Sequence, residues 1–157
     1  MNVSYSAVQA TIRDLDDLVP LFDHYRSFYH QPSDVKAARE FLLARLEHAQ
    51  SVIYTARDSA TSQAVGFVQL YPSFSSISMK RVWVLNDLYV REDHRRQGVA
   101  ELLLEQARGF AVKTGAKGIE LSTAPDNATA QALYHKQGYT REDEFIHYFL
   151  DLTQKSH

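Results

Sequence analysis

The sequence predicts a mixed α/β (α+β) domain, in which a sheet with both antiparallel and parallel strands carries helices on its faces. Three observations predict it. Segments of strand character and of helical periodicity follow one another in the order β-α-α-β-β-β-α-β-α-β. The strands of the first half are separated by turn-rich stretches, as in hairpins, whereas two later connections run through helices, as in crossovers. The chain has 157 residues, 45% hydrophobic and 23% charged, which suits a single domain over residues 1–157 with one substantial core.

Residues 8–12 read as the first strand. Asp14 then stands as the N-cap of a helix bearing Leu15, Leu18, Leu21, Phe22, Tyr25, Phe28 and Tyr29 at three-four spacing. His30-Gln31-Pro32 breaks that helix, and Ser33 caps a second one reaching about residue 49, with Val35, Ala38, Phe41, Leu42 and Leu46 on its apolar face. Residues 51–57 and 64–71 form a hairpin, and residues 72–78 are a Ser-rich loop. Residues 81–90 are the most strand-like stretch of the chain. A charged segment, 91–97, leads into a helix at about 98–114 closed by Gly115. A strand at 117–123, a helix at 127–137 ended by Gly138, and a last strand at 145–150 complete the order.

Charge and composition remove several function classes. Lys and Arg number 17 against 19 Asp and Glu, a net charge of −2, so nothing draws the chain as a whole toward nucleic acid or anionic lipid. With no cysteine there is no disulfide, thiolate metal site or thiol nucleophile, and no acyl group can pass through an enzyme sulfur. The N-terminus lacks a signal-like pattern, and no apolar run approaches the roughly 20 residues of a membrane span. The expectation is a cytoplasmic protein. Seven scattered histidines show no metal-ligand spacing, and no metal is expected.

The sharpest local signal is the strand-to-helix turn Arg95-Arg96-Gln97-Gly98-Val99-Ala100. A helix start offers unpaired N–H groups and the positive end of a dipole, and small residues let a pyrophosphate approach the backbone. The alternative is a solvated charged loop closed by a glycine; neither a P-loop nor a three-glycine dinucleotide fingerprint is present. Further on, Asn127 and Tyr134 lie seven residues apart, about two helical turns, so both can face one elongated ligand. The plainer alternative makes Asn127 an N-cap and Tyr134 a packed aromatic.

Taken together, these residues resemble the GNAT family of N-acetyltransferases. Leu85-Asn86-Asp87-Leu88-Tyr89-Val90 followed by Arg95-x-x-Gly98-x-Ala100 is similar to the family's acetyl-CoA-binding core, Gln/Arg-x-x-Gly-x-Gly/Ala. The second motif is an Asn opening a helix that ends in Leu-Tyr-x-x-x-Gly-Phe/Tyr, matched by Asn127 and by Leu133-Tyr134-His135-Lys136-Gln137-Gly138-Tyr139. The resemblance covers nearly the whole chain and implies a central sheet of six to seven strands, splayed in the middle and flanked by four helices. It also implies acetyl-CoA as co-substrate. Main chain of Leu88, Tyr89 and Val90 would hold the pantetheine. The backbone of Arg96, Gln97, Gly98, Val99 and Ala100, with Arg95 and Arg96 nearby, would hold the pyrophosphate, and Asn127 would bond the pantetheine arm.

The same resemblance makes Tyr134 the general acid for the leaving thiolate, and its phenol, with an ordinary pKa of about 10, suits that task. The polyamine branch of the family carries Leu-Glu-Asp at the start of this strand, and its Glu serves as base; here Asn86 stands in that place. Asp87 is the neighbouring carboxylate and the candidate base, although regular strand alternation points it to the opposite face, so that a bulge, or a water chain to His24 or His147, is needed. A structural role for Asp87 is the alternative. Asp23, Tyr25, Tyr71 and Asn86 are candidates for holding a small amine, polyamine or lysine-like acceptor, by charge and cation–π contact. The aromatics equally fit a core stripe. A second function, a silent acyl-CoA-binding sensor, is kept alive by Asn86. The aromatic last strand, lying near a sheet edge, suggests a homodimer.

Overall fold

The computed structural model describes residues 3–153, which divide into two compact units, Met1–Ala124 and Pro125–His157. The first unit contains β1 (Tyr5–Gln9), α1 (Leu15–Phe28), α2 (Val35–Glu47), β2 (Val52–Asp58), β3 (Ala64–Ser75), β4 (Lys80–Val90), α3 (Val99–Lys113) and β5 (Gly118–Glu120). The strands stand side by side in chain order, antiparallel from β1 to β4, and β5 joins β4 in parallel after the α3 crossover. The mixed sheet is therefore present, with five strands among the described residues instead of six to seven. Four α-helices lie among the described residues, as expected.

Local chemistry sets the element ends. Thr11 and Asp14 form a capping box: the Asp14 carboxylate accepts from the Thr11 amide at 2.8 Å, and the Thr11 hydroxyl accepts from Arg13 N–H at 3.2 Å. Asp14 thus marks the helix start as expected, but it reaches back to Thr11 and makes no side-chain cap onto α1. The cap of α2 is Asp34, whose carboxylate accepts from Ala37 N–H, and Ser33 turns elsewhere. Residues 72–75, expected in a loop, continue β3. They pair only with β4, because β2 stops at the Val52–Leu70 pair; there β3 is an edge, where a strand tolerates Pro72.

Side chains alternate between two cores. Ile53 and Phe67 join Leu15, Leu18, Phe22, Ala38 and Leu42 beneath α1 and α2. On the opposite face α3 buries Val99, Leu103, Leu104, Ala107 and Ala111, and its Phe110 ring meets Trp83 at 5.0 Å and Tyr54 at 6.1 Å. Burying such side chains contributes roughly 1.5–3 kcal/mol each, which fixes which way each strand faces.

In the second unit, α4 (Ala128–Lys136) is capped by Asn127. It ends in a Schellman motif: Tyr139 N–H donates to Tyr134 C=O, Gly138 N–H donates to His135 C=O, and Gly138 takes φ 96°. Residues 145–150 form no strand, contrary to expectation. Their aromatic and branched character suits a sheet, but without a paired neighbour it makes no ladder, and Phe145, Tyr148 and Phe149 lie exposed.

Candidate active site

The β3–β4 register slips by one residue. Gln69 stands opposite Asp87, and the next residue of β3, Leu70, stands opposite Leu85, so Asn86 is a bulge in β4. In an unbroken strand Trp83 and Asp87 would share a face. With the extra residue, Trp83 packs under α3 and bonds Thr114 at 2.9 Å. Asp87 instead turns to the α1 side with Tyr89, whose ring lies 6.3 Å from Tyr25 and 6.5 Å from Phe67. A bulge is thus present where regular alternation would have turned Asp87 away.

An open cavity of about 390 Å³ lies there, lined by Phe22, Tyr25, Arg26, Phe41, Tyr71, Asn86 and Asp87 with Ala37 and Ala38. Asp87 is buried, and its Oδ2 accepts from Gln69 Nε2 at 2.5 Å and its Oδ1 from Asn86 Nδ2 at 2.9 Å. Tyr25 donates to the Asn86 carbonyl at 3.2 Å. Burial first, and then the Asp87 carboxylate, push the Tyr25 hydroxyl far above its ordinary pKa. The same two causes raise Tyr71 to about 12, against the lowering influence of Arg45. Both phenols therefore stay neutral donors over the physiological range beside a carboxylate.

Of the four residues expected to hold the acceptor, Tyr25, Tyr71 and Asn86 meet in this cavity. Asp23 does not. It is buried, its Oδ2 accepts from Ser33 Oγ at 2.6 Å and its Oδ1 from Asp34 N–H at 2.8 Å. The Ser33 hydroxyl above all, with the Asp34 amide, holds its carboxyl below the usual range despite burial. Asp23 is a clamp between α1 and α2, which also explains why Ser33 leaves the capping role to Asp34.

A second feature lies at the end of β4. The pairs joining β4 to β5 are Val82–Gly118, Trp83–Ile119 and Val84–Glu120. Beyond them, residues 85–90 run on without a strand partner on that side among the described residues, and of their carbonyls Asn86 and Val90 accept from the side chains of Tyr25 and Arg95. The chain then turns through Arg96 (φ 61°) and Gly98 (φ 82°) into the start of α3. Alternating handedness of this kind aims successive N–H groups inward as an anion nest, and α3 adds its unpaired first-turn amides. A Cβ added at Gly98 would meet nothing within 4 Å, so the space above the turn is open. These features fit a pyrophosphate on the turn and a pantetheine arm along β4.

Two side chains of that turn are tied to the protein. Arg95 folds back: its Nε donates to the Val90 carbonyl at 2.9 Å, and its guanidinium lies 5.7 Å from the Tyr89 ring and 5.8 Å from the Phe28 ring. It braces the end of β4 through that one nitrogen. Gln97 accepts from the Tyr5 hydroxyl at 2.8 Å, which also contacts His94 Nδ1 at 2.9 Å, tying β1 to the turn. In the second unit, Asn127 Oδ1 accepts from Ala130 N–H at 3.1 Å as the cap of α4, and the Tyr134 ring packs edge-on against Tyr139 at 5.8 Å.

The sequence reading missed Gln69, Phe22, Arg26 and Phe41. Gln69 carried a signal, being the lone polar residue in the apolar run Val65-Gly66-Phe67-Val68-Gln69-Leu70. Phe22, Tyr25 and Arg26 stand at i, i+3 and i+4 on α1, but nothing in that spacing distinguishes a cavity wall from a core stripe.

Comparison with known proteins shows the family. The model of the acetyltransferase (GNAT) family matches residues 16–139. An uncharacterized N-acetyltransferase of Bacillus subtilis strain 168, YhfO, is 44% identical over 147 residues, 94% of this chain and 97% of the relative. The crystal structure of a probable acetyltransferase superposes with a TM-score of 0.90 at 46% identity, covering 96% of this chain and 99% of that one. An aminoglycoside N-acetyltransferase solved in complex with CoA, AAC(6')-Iy, shares the fold at 17% identity, with a TM-score of 0.78 and coverage of 96% and 97%. The chain belongs to the GNAT family of acetyltransferases.

Proposed function

We propose that the whole chain is one N-acetyltransferase domain that moves an acetyl group from acetyl-CoA to a primary amine by direct attack in a ternary complex. The observation that carries this reading is the Asn86 bulge, which turns Asp87 into the cavity of Tyr25 and Tyr71. Leu88, Tyr89 and Val90 offer main chain to the pantetheine, and residues 96–100 offer amides to the pyrophosphate. Acetyl-CoA supplies the activated acyl group. An alkylammonium with a pKa near 10.4 must shed a proton before it attacks, and Asp87, directly or through water, accepts it. As the new C–N bond forms and the C–S bond breaks, Tyr134 donates its proton to the leaving sulfur. Asn127 holds the pantetheine arm. The absence of cysteine agrees with a mechanism that has no acyl-enzyme.

Thiol release from acetyl-CoA in the presence of separate amine pools tests the reading, because every thiol detected comes from the co-substrate. Release should depend on one pool, and Tyr134→Phe and Asp87→Asn should each slow it by about 10²–10⁴-fold while CoA binding persists. Tight CoA binding with no release from any pool would favour the sensor reading, and absence of CoA binding would overturn the assignment of the turn. Cytoplasmic residence and a homodimer complete the proposal. The exposed run at 145–150 supports self-association, and sedimentation of the purified chain tests it.

A further inference from the structure

Resting on the acetyltransferase reading of the cavity, we infer that the acceptor is a zwitterion, an amine that also bears a carboxylate, with Arg26 as the anchor for its acid group. Arg26 and Asp87 are the two charged residues among those lining the cavity, and the aromatic walls Phe22, Tyr25, Phe41 and Tyr71 complete it. Arg26 makes one hydrogen bond, Nη1 to the Pro32 carbonyl at 3.2 Å, and forms no ion pair among the described residues. A guanidinium has five N–H donors arranged to fit a carboxylate, so most of its capacity is open. The nearby acid, Asp23, feels the Arg26 charge but has both oxygens engaged by Ser33 and Asp34. Asp87 accepts from Gln69 on one oxygen and from Asn86 on the other, with the Tyr25 hydroxyl also beside it, and two carboxylate oxygens with about four lone-pair sites still have room for an incoming ammonium.

The cavity thus offers one anionic and one cationic contact joined by apolar walls. Arg45 adds to the positive side, its guanidinium 4.5 Å from the Phe41 ring and its charge reaching Tyr71. A diamine or polyamine brings a second ammonium into this setting and meets like charge there. The same guanidinium that attracts a carboxylate therefore rejects the dication, and selectivity comes from both effects.

Matched acceptors that differ by a carboxylate isolate the effect: lysine with cadaverine, ornithine with putrescine, phenylalanine with phenethylamine. Thiol release from acetyl-CoA gives kcat/KM for each. The acid-bearing member of the productive pair should lead by at least about 10-fold, the size expected for a charge-assisted hydrogen bond. Arg26→Gln should bring that ratio toward one, and Arg26→Lys should restore part of it, an outcome that a general weakening of the fold would not give. A wild-type preference for the decarboxylated member, or an unchanged ratio in Arg26→Gln, overturns the inference and leaves the transferase intact. Silence with all six acceptors alongside release from a larger amine, such as an aminoglycoside, also overturns the inference alone. Silence with every amine overturns the transferase reading itself.

Discussion

Gln69 and Asp87 are joined side chain to side chain in the interior of the sheet, Nε2 donating to Oδ2 at 2.5 Å, beside the point where the β3–β4 register slips. Gln69 is fully buried and Asp87 nearly so, while Gln69 Oε1 has no hydrogen-bond partner among the described residues. The amide therefore serves the carboxylate and nothing else visible in the structure. Removing one member of such a pair leaves the other desolvated and unmatched, which costs more than the bond itself contributes.

Gln69→Leu should accordingly lower the unfolding free energy by about 1–3 kcal/mol, read from urea titration. The double variant Gln69→Leu with Asp87→Leu should recover a large part of that loss, because neither polar group is then stranded. Additive losses in the double variant would show that the two side chains are not coupled.

The clamp at Asp23 has a pH signature. Its carboxyl is held below the ordinary value of about 3.9, so the unfolded chain binds its proton first as pH falls. The stability it contributes is present above the ordinary carboxylate range and is lost as pH falls through the depressed value. Asp23→Asn should be less stable than the parent by about 1–3 kcal/mol near neutral pH, with the gap closing in acid. Denaturant unfolding at a series of pH values checks both parts. A gap that persists unchanged in acid would mean that the charge of Asp23 is not what holds α1 to α2. The KM for the amine should shift by less than about threefold, since Asp23 does not line the cavity.

Most of the fold was legible because hydrophobic period and punctuation agree along the chain. Leu15, Leu18 and Phe22 mark one helix face, and Gly115 and Gly138 close two helices at positive φ. Residues 72–75 misled because Pro72 and the serines advertise a loop, whereas β4 is long enough to pair with them where β2 has stopped. Residues 145–150 misled in the opposite way, since strand character does not create a partner. At the site, the family resemblance pointed to the turn at Gly98 and put a base at position 86, where Asn86 stands, so that Asp87 entered only as the neighbouring carboxylate. It could not reveal the bulge at Asn86, which is a property of pairing between two strands, nor that Arg95 bends back onto Val90. Asp23 looked like an amine anchor by its charge. Only packing shows that Ser33 and Asp34 have claimed both oxygens.

The turn at Gly98 gives the most direct test of the cofactor reading. Its φ of 82° lies in the left-handed region, where a side chain strains the backbone, and asparagine is among the residues that bear this best. The space around the missing Cβ is open to 4 Å, so a new side chain meets no protein atom at that point. Gly98→Asn should therefore fold with a loss of about 1 kcal/mol or less. If the amides of residues 96–100 receive pyrophosphate, the added side chain stands over that nest and should weaken CoA binding by at least about 10-fold, measured by calorimetry. Pantetheine, which lacks the pyrophosphate, should bind the variant and the parent alike. A variant that binds CoA as tightly as the parent would show that the phosphates lie elsewhere, and an equal loss for CoA and pantetheine would point to a disturbed β4 edge instead of a blocked nest.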